Sequence, residues 1–224
     1  MFLSKNCLGI DMVRADSQGQ QKRGEYMHNI VFDLGGVLLK DKPVSILKKI
    51  NINEADYNQL IKFFENWEKL DLGQQSLEEK FLECNFPDYV SFKYKDILLK
   101  YYEIRDINID LIDLINKLKN NSYKIYILSD NNSEASNYYK NNALFNVVDG
   151  WVVSCDYNVT KSDGKLFEIL LDKYKLKPEE CYFIDDKQSN VDIAFKYNIN
   201  GYKYDENLDI MKLYNDMREN DIKI

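Results

Sequence analysis

Polar residues that could do chemistry stand at the ends of apolar segments of this 224-residue chain. Carboxylates, supported by a backbone carbonyl and water, suit Mg²⁺, whereas a hydroxyl, an amine and backbone N–H groups suit phosphate oxygens. A carboxylate directed at phosphorus can also act as a covalent nucleophile. Taken singly, each residue is more often a helix cap, a turn residue or a surface lysine, but together they indicate one site. They are Asp33, Ser129, Asp130, Lys161, Asp185 and Asp186.

These residues can meet only if the apolar segments form one sheet. The segments are short and β-rich, and helical patterns separate them, which predicts a doubly wound α/β fold with a parallel sheet. The carboxyl ends of such strands share one edge, where ligands bind. The predicted strands span 29–34, 124–129, 150–154 and 181–185, with a weaker fifth at 200–205.

Three of the intervening segments carry apolar residues at helical spacing. Residues 109–120 place leucines and isoleucines, including Ile109, on one broad stripe, and residues 165–175 repeat the pattern. Residues 189–197 form the third predicted helix, with Ser189 as its expected N-cap.

The interval between the first two strands is too long for a simple crossover. Residues 43–104 carry several further helical patterns, and one of them begins with a capping box at Ser76 and Glu79. An insertion at the carboxyl end of the first strand is well placed to be a lid. A purely structural subdomain is the alternative. The expected hinges lie near residues 40–43 and 105–108.

The segment before the first strand is polar and is expected to be a flexible extension, so that Met27 could be the functional start. The expected divisions are an extension (1–27), an α/β core (28–42 and 105–224) and a helical cap (43–104).

The overall composition argues against several classes of function. The net charge is -7, so no nucleic-acid partner is expected. The only histidine is His28, which disfavours histidine-based zinc sites and Ser-His-Asp triads. The four cysteines form no CxxC pair, and no apolar run reaches the length of a membrane span. We therefore expect a cytoplasmic protein with reduced thiols and no membrane partner. The oligomeric state stays open.

The order of the strand-end motifs resembles that of the haloacid dehalogenase (HAD) superfamily. The corresponding segments are VFDLGGV, YILSDN, TKSDGKLFEIL and FIDDKQSNVDIA, which bracket residues 28 to about 204. The insertion is similar to that of the helical-cap subclass. Its segment WEKLDLGQQSLEEKF (67–81) resembles the cap of small bacterial sugar-phosphate phosphatases, including the alpha-glucose-1-phosphate type, and the phosphatase domain fused to some epoxide hydrolases.

This resemblance implies a role for each residue that would contact a phosphate group. Asp33 would be the nucleophile and would form an aspartyl-phosphate. Lys161 would link that nucleophile to the phosphate and offset its charge. Ser129 would hold a phosphate oxygen, with Asp130 beside it in the phosphate-binding segment.

The resemblance also implies a Mg²⁺ cofactor. Its ligands would be Asp33, the backbone carbonyl of Gly35, and Asp186, with Asp185 as a second ligand or a helper. Asn190 would orient Lys161 or a water on the metal.

The chain departs from the family pattern at Gly35, where a second aspartate usually acts as acid and base. Asp41 is a substitute acid by position only. The expected function is a Mg²⁺-dependent phosphatase of a small phosphorylated metabolite, foremost a sugar phosphate. Two alternatives stay open: a catalytically weak binding or regulatory protein, which the missing acid favours, and a 2-haloacid dehalogenase. The sequence does not decide whether Trp67, Gln74 or Tyr101 faces the substrate.

Overall fold

The computed structural model describes residues 27–40, 42–50, 52–205 and 210–224; Asp41 and the expected extension up to residue 26 lie outside them. Its strands are β1 (Asn29–Phe32), β2 (Lys124–Ser129), β3 (Gly150–Val153), β4 (Cys181–Asp185) and β5 (Asn200–Lys203). They form one parallel sheet in the order β3-β2-β1-β4-β5. The predicted α/β class with a parallel sheet is therefore confirmed.

The central strand β1 is buried along its whole length between β2 and β4. It ends at Phe32, earlier than the sequence predicts, so Asp33 begins the turn that follows. The Asp33 N–H still donates to the Ile184 carbonyl at 2.8 Å, which holds the residue against β4. The first strand-end acid therefore emerges at the middle of the sheet edge.

Helices of the insertion fill the interval between β1 and β2. They are α1 (Ile46–Lys49), α2 (Glu54–Leu60), α3 (Glu68–Asp71), α4 (Leu77–Glu83) and α5 (Asp88–Leu99). The predicted capping box is confirmed at the start of α4: the Ser76 hydroxyl accepts from the Glu79 N–H, and the Glu79 carboxylate accepts from the Ser76 N–H. Phe63 is fully buried, and its ring contacts those of Phe64, Trp67 and Phe81.

The remaining helices cover the sheet. They are α6 (Ile109–Asn120), α7 (Ser133–Lys140), α8 (Lys165–Tyr174), α9 (Gln188–Lys196) and α10 (Ile210–Glu219). The expectation for Ser189 is wrong, because α9 begins earlier and its N-cap is Lys187, whose N–H donates to Asp185. Ile109, placed on the apolar stripe of α6, is half exposed at the start of that helix. No helix among the described residues has both the length and the hydropathy needed to cross a membrane.

The two connections between the insertion and the rest of the chain run side by side. The Lys40 N–H donates to the Asp106 carbonyl at 2.9 Å, and the Asn108 N–H donates to the Leu38 carbonyl at 2.8 Å. These bonds join the entry and the exit of the insertion directly beyond the carboxyl end of β1. The insertion is thus rooted at the edge of the sheet that carries Asp33.

Candidate active site

Asp33 is a buried carboxylate with two strong partners on one oxygen. Its Oδ1 accepts from the Leu34 N–H at 2.7 Å and pairs with the Lys161 ammonium at 2.9 Å. Both contacts use Oδ1, so Oδ2 takes no part in them. A carboxylate whose one oxygen is fixed and neutralised can direct the other at a reacting atom.

Lys161 is a fully buried lysine that joins two acids. Its Nζ lies 2.9 Å from Asp33 Oδ1 and 2.6 Å from Asp185 Oδ2, while its backbone N–H donates to Asp130 Oδ1 at 2.9 Å. Burial alone would lower the pKa of Lys161, but the neighbouring carboxylates outweigh it and raise that pKa. The amine therefore stays charged at neutral pH, in a position to offset negative charge on Asp33 and on a bound anion.

The two consecutive acids after β4 have different surroundings. Both oxygens of Asp185 accept hydrogen bonds, from Lys161 Nζ, the Lys187 N–H and Asn190 Nδ2. Asp186 Oδ1, in contrast, is buried and has no hydrogen-bond partner among the described residues. A buried carboxylate oxygen without a donor is unfavourable unless a cation or water satisfies it.

The surroundings of Asp186 fit a metal ion. Asp33, Asp185 and Asp186 each present an oxygen within 4.8 Å of the others, and they form the one such acidic group found in the described ranges. Burial raises the pKa of Asp186, and the charge of Asp185 raises it further. A divalent cation would offset both effects. An all-oxygen donor set favours a hard ion such as Mg²⁺.

The two glycines that follow β1 have different physical roles. Gly36 adopts φ +80°, and a Cβ there would lie 2.6 Å from the carboxylate of Asp186, so only glycine fits. Among the described residues, the one atom that a Cβ at Gly35 would approach within 4 Å is Arg105 Nη2, at 3.8 Å. Residue 36 is therefore glycine because the Asp186 carboxylate approaches it, while the space beside residue 35 is open toward a guanidinium.

A cavity of about 320 Å³ lies in front of these groups. From the core it is lined by Asp33, Asp130, Asn131, Lys161 and Asp186, among others. Ser129, which the sequence analysis expected at the site, is buried at the end of β2 and is not among the described residues that line the cavity. The Asp130 carboxylate lines it but is bonded to the Lys161 N–H.

The insertion supplies the opposite side of the cavity. Its contributions include Phe64, Trp67, Asp71 and Tyr101. Trp67 and Tyr101 therefore face the site, whereas Gln74 is not among the described lining residues. Phe64 and Trp67 stack at 15°, with Tyr101 edge-on to both. Such a wall is apolar and broad, suited to the carbon skeleton of a small ligand.

Among the described residues, five polar ones line the cavity although sequence reasoning did not assign them to the site: Lys42, Asp71, Arg105, Asn131 and Lys187. Arg105 had been taken only as part of a hinge, and Asn131 only as the neighbour of a strand-end pair. Asp71 lies in a segment already singled out, two residues before Gly73. The acid shortly before Gly73 was the sequence feature that could have identified Asp71 as a site residue. Its orientation toward the cavity, however, depends on how the insertion packs.

The insertion is held against the core by polar contacts around the cavity. The Leu77 N–H donates to Glu134 Oε1 at 3.0 Å, and Asn132 Nδ2 donates to the Tyr101 hydroxyl at 2.9 Å. Gly73 has φ +66°, and a Cβ there would lie 2.5 Å from the Cys155 carbonyl oxygen. The end of α3 is thus seated on the segment that follows β3.

The chain belongs to the haloacid dehalogenase-like hydrolases, since the sequence model of that family matches residues 27–195. A D-ribitol-5-phosphate phosphatase of Bacteroides thetaiotaomicron is 25% identical over 181 residues, which cover 74% of this chain and 86% of the relative. The match to the family model, over residues 27–195, includes the four segments that carry the strand-end motifs, as the resemblance had implied.

Solved structures confirm the fold. A HAD-family enzyme from Bacteroides thetaiotaomicron, in complex with magnesium and inorganic phosphate, has a TM-score of 0.63 at 22% identity and covers 84% of this chain and 99% of its own. The L-2-haloacid dehalogenase of Xanthobacter autotrophicus, with chloropropionic acid covalently bound, has a TM-score of 0.58 at 14% identity, covering 88% and 85%. Because both match, the fold does not separate the two chemistries, and the residues of the site must.

Proposed function

We propose that this protein is a Mg²⁺-dependent phosphatase that hydrolyses a small phosphorylated metabolite through an aspartyl-phosphate on Asp33. The observation that carries the proposal is the buried arrangement of Lys161 between Asp33 and Asp185, next to an unpartnered oxygen of Asp186. The phosphatase relative and the fold neighbour with magnesium and phosphate support the same class.

In this mechanism each residue has a distinct task. Asp33 attacks phosphorus, and the bond from phosphorus to the leaving oxygen breaks, which gives the phospho-enzyme. Lys161 holds Asp33 in place and offsets the charge that collects on the phosphoryl oxygens. Asp185 keeps Lys161 positioned, since its own oxygens are already occupied by donors. Water then attacks phosphorus, the bond to Asp33 breaks, and phosphate leaves.

Asp33, Asp186 and the Gly35 carbonyl are the groups that would hold Mg²⁺. The bound ion would neutralise charge on the phosphate oxygens and help to align them. Asp185 supports this site through Lys161 and Asn190. The resemblance left Asp185 as either a second ligand or a helper, and this assignment makes it the helper.

The cavity is best matched by a sugar or polyol phosphate of a few carbons. Its volume of about 320 Å³ is at the small end for a ligand site. The Trp67 and Phe64 rings offer an apolar wall for C–H groups, and the cationic Arg105 offers donors for hydroxyl groups. The phosphatase relative is named for D-ribitol-5-phosphate, which is a polyol phosphate of this class.

We further propose that residues 43–104 act as a helical cap that opens and closes over the site. The paired connections at Lys40–Asp106 and Leu38–Asn108 would form the hinge. The polar contacts of Leu77 and Tyr101 with the core are those that opening would break. Closure would exclude water and bring the aromatic wall to the substrate.

The test is a panel of phosphate esters with Mg²⁺, scored by phosphate release and compared with halide release from 2-chloropropionate. The panel includes ribitol 5-phosphate, glucose 1-phosphate and an aryl phosphate. Asp33→Asn should abolish phosphate release, whereas the exposed Asp113→Asn on α6 should retain it. Halide release without phosphate release would establish a dehalogenase. Binding of phosphate esters without turnover would establish a binding protein.

A further inference from the structure

Residue 35 is a glycine, and a Cβ there would meet no acid among the described residues, yet a sugar or polyol oxygen needs a proton when it leaves phosphorus. A sugar alkoxide is a poor leaving group, and general acid catalysis of such a step is typically worth about 10²–10⁴-fold. Four carboxylic acids line the cavity in the described part of the chain. They are Asp33, Asp71, Asp130 and Asp186.

Three of these acids are already engaged. Asp33 is paired with Lys161, and Asp130 accepts from the Lys161 backbone N–H. Asp186 belongs to the acidic group that fits a cation. Asp71 is outside that group and projects from the insertion, on the opposite side of the cavity from β1. Of the described acids that line the cavity, it is the one left available to the leaving group.

The surroundings of Asp71 suit a proton donor. It is partly buried at the end of α3, and burial, aided by the charge of Asp130, raises the pKa of Asp71 to about 7. The charged groups that act on it are all from the core: Asp33, Asp130, Lys161 and Lys187. Tyr101 of the insertion and Arg105 of the core line the same cavity. Near neutral pH this carboxyl can both donate and accept a proton.

Its position is also fixed. Gly73, two residues on, is seated against the Cys155 carbonyl, and the Leu77 N–H is bonded to Glu134. The Asp71 N–H donates to the Trp67 carbonyl at 3.1 Å within the helix. Asp71 is therefore placed in the cavity only when the insertion is docked on the core.

We propose that Asp71, supplied by the insertion, is the general acid and base of this enzyme and takes the place of the carboxylate that is absent at residue 35. This inference rests on the proposed phosphatase function and deepens it. It also couples closure of the insertion to proton transfer, and it fits substrates whose leaving group is an unactivated alcohol.

Asp71 gives up its proton in the first chemical step and regains one in the second. When Asp33 attacks phosphorus and the bond to the leaving oxygen breaks, the Asp71 carboxyl gives its proton to that oxygen, so that a neutral alcohol leaves and Asp71 becomes a carboxylate. In the second step this carboxylate takes a proton from water as the water oxygen bonds to phosphorus. The bond from phosphorus to Asp33 then breaks, and Asp71 is protonated again.

The experiment compares the purified full chain with Asp71→Asn and with Glu68→Gln, an exposed acid on the same helix. The substrates are an aryl phosphate with an acidic phenol and an alkyl phosphate of a polyol, both with Mg²⁺. With the aryl ester, Asp71→Asn should release phenol rapidly in an amount equal to the enzyme and then turn over slowly, because only the second step needs the base. With the alkyl ester it should lose about 10²–10⁴-fold in rate and give no burst. Glu68→Gln should behave as wild type.

Two outcomes would overturn the inference: unchanged turnover of the alkyl ester, or an equal loss on both esters without a burst, which indicates a structural role. The wild-type enzyme provides a test that does not depend on the folding of a variant. Its kcat/KM should vary little with the pKa of the leaving group, whereas a steep dependence would mean that no acid is in place. If wild type releases phosphate from neither ester, the proposed function itself has failed.

Discussion

The two sides of the cavity differ in how their polar groups are partnered. The core side is defined by Asp33, Lys161, Asp185 and Asp186. In it the Lys161 amine, both oxygens of Asp185 and one oxygen of Asp33 make short contacts. The insertion side is aromatic, and its acid, Asp71, is shielded from water with a raised pKa. The core side is held by ion pairs and hydrogen bonds among its own side chains. The insertion side is held by contacts with the core.

This difference separates two tasks. A paired network holds a nucleophile and a cation site at fixed distances, which is what attack on phosphorus requires. An acid on an element that docks over the site is desolvated when that element closes, which raises its pKa. Its proton transfer therefore depends on the closed arrangement. Under the proposed mechanism, the core would carry out the attack on phosphorus, and the insertion would provide substrate choice and proton transfer.

The largest effect is expected from breaking the core network at Lys161. Lys161→Met would leave Asp33 and Asp185 buried without their cation, a change that typically destabilises by about 3–5 kcal/mol. Phosphate release should fall below detection. Urea denaturation of this variant, beside the exposed Lys165→Met control on α8, measures the effect. Equal unfolding midpoints for the two variants would show that the network contributes little to folding.

The next effect separates the two acids after β4. Asp186→Asn should weaken Mg²⁺ binding by at least about tenfold. It should barely change metal-free stability, because Oδ1 has no donor to lose. Asp185→Asn should instead lower the metal-free stability and change Mg²⁺ binding little, since the Asp185 oxygens accept from Lys161, Lys187 and Asn190. Calorimetric Mg²⁺ titration and thermal unfolding in chelator give the two readouts. Identical behaviour of the variants would refute the separation.

A smaller effect is expected at the two glycines. Gly36→Ala should destabilise by about 1–3 kcal/mol, since its φ is left-handed and its Cβ would meet Asp186. Gly35→Ala, with open space around it, should change stability by less than about 0.5 kcal/mol. Thermal unfolding of both variants in chelator distinguishes the positions. A costly Gly35→Ala would mean that the space beside Arg105 is needed for another reason.

The smallest effect concerns the insertion side. Between the usual pKa of 3.8 and the value of about 7 that burial gives Asp71, the folded state holds a proton that the unfolded chain releases. Wild type therefore loses stability from this group as pH rises through that range. Asp71→Asn lacks the titration, so its advantage should grow from pH 5 to pH 8, to about 1 kcal/mol or a few degrees in Tm. A constant difference in Tm would contradict this reading of Asp71.

Much of the core side could be predicted because its information is local. Each strand is an apolar segment that ends in a polar residue, and a parallel sheet brings such ends to one edge whatever the rest of the chain does. Asp33 and Asp186 follow from this rule, whereas Lys161 lies eight residues beyond the end of β3 and was assigned through the family resemblance. The structure places all three on the cavity. The capping box at Ser76 was equally local, since both partners lie within one helical turn.

The prediction for the start of α9 was wrong because of a contact between residues only two positions apart. Ser189 is not the N-cap of α9, because the N–H of Lys187 finds the Asp185 carboxylate first. Ser129 is buried and is not among the described lining residues, so its contact with a phosphate oxygen stays a prediction.

The sequence by itself determined the α/β class, the presence of a helical insertion and the acids and lysine at the strand ends, since periodicity and strand termini are properties of short segments. Only the tertiary structure decided which of the two acids after β4 is fully bonded, why residue 36 is glycine, and that Asp71 and Arg105 line the cavity. The physical reason is that hydrogen-bond saturation, burial and the pKa of a carboxyl depend on groups brought from far along the chain. The spacing of residues along the sequence does not show which of these groups meet when the insertion packs against the sheet.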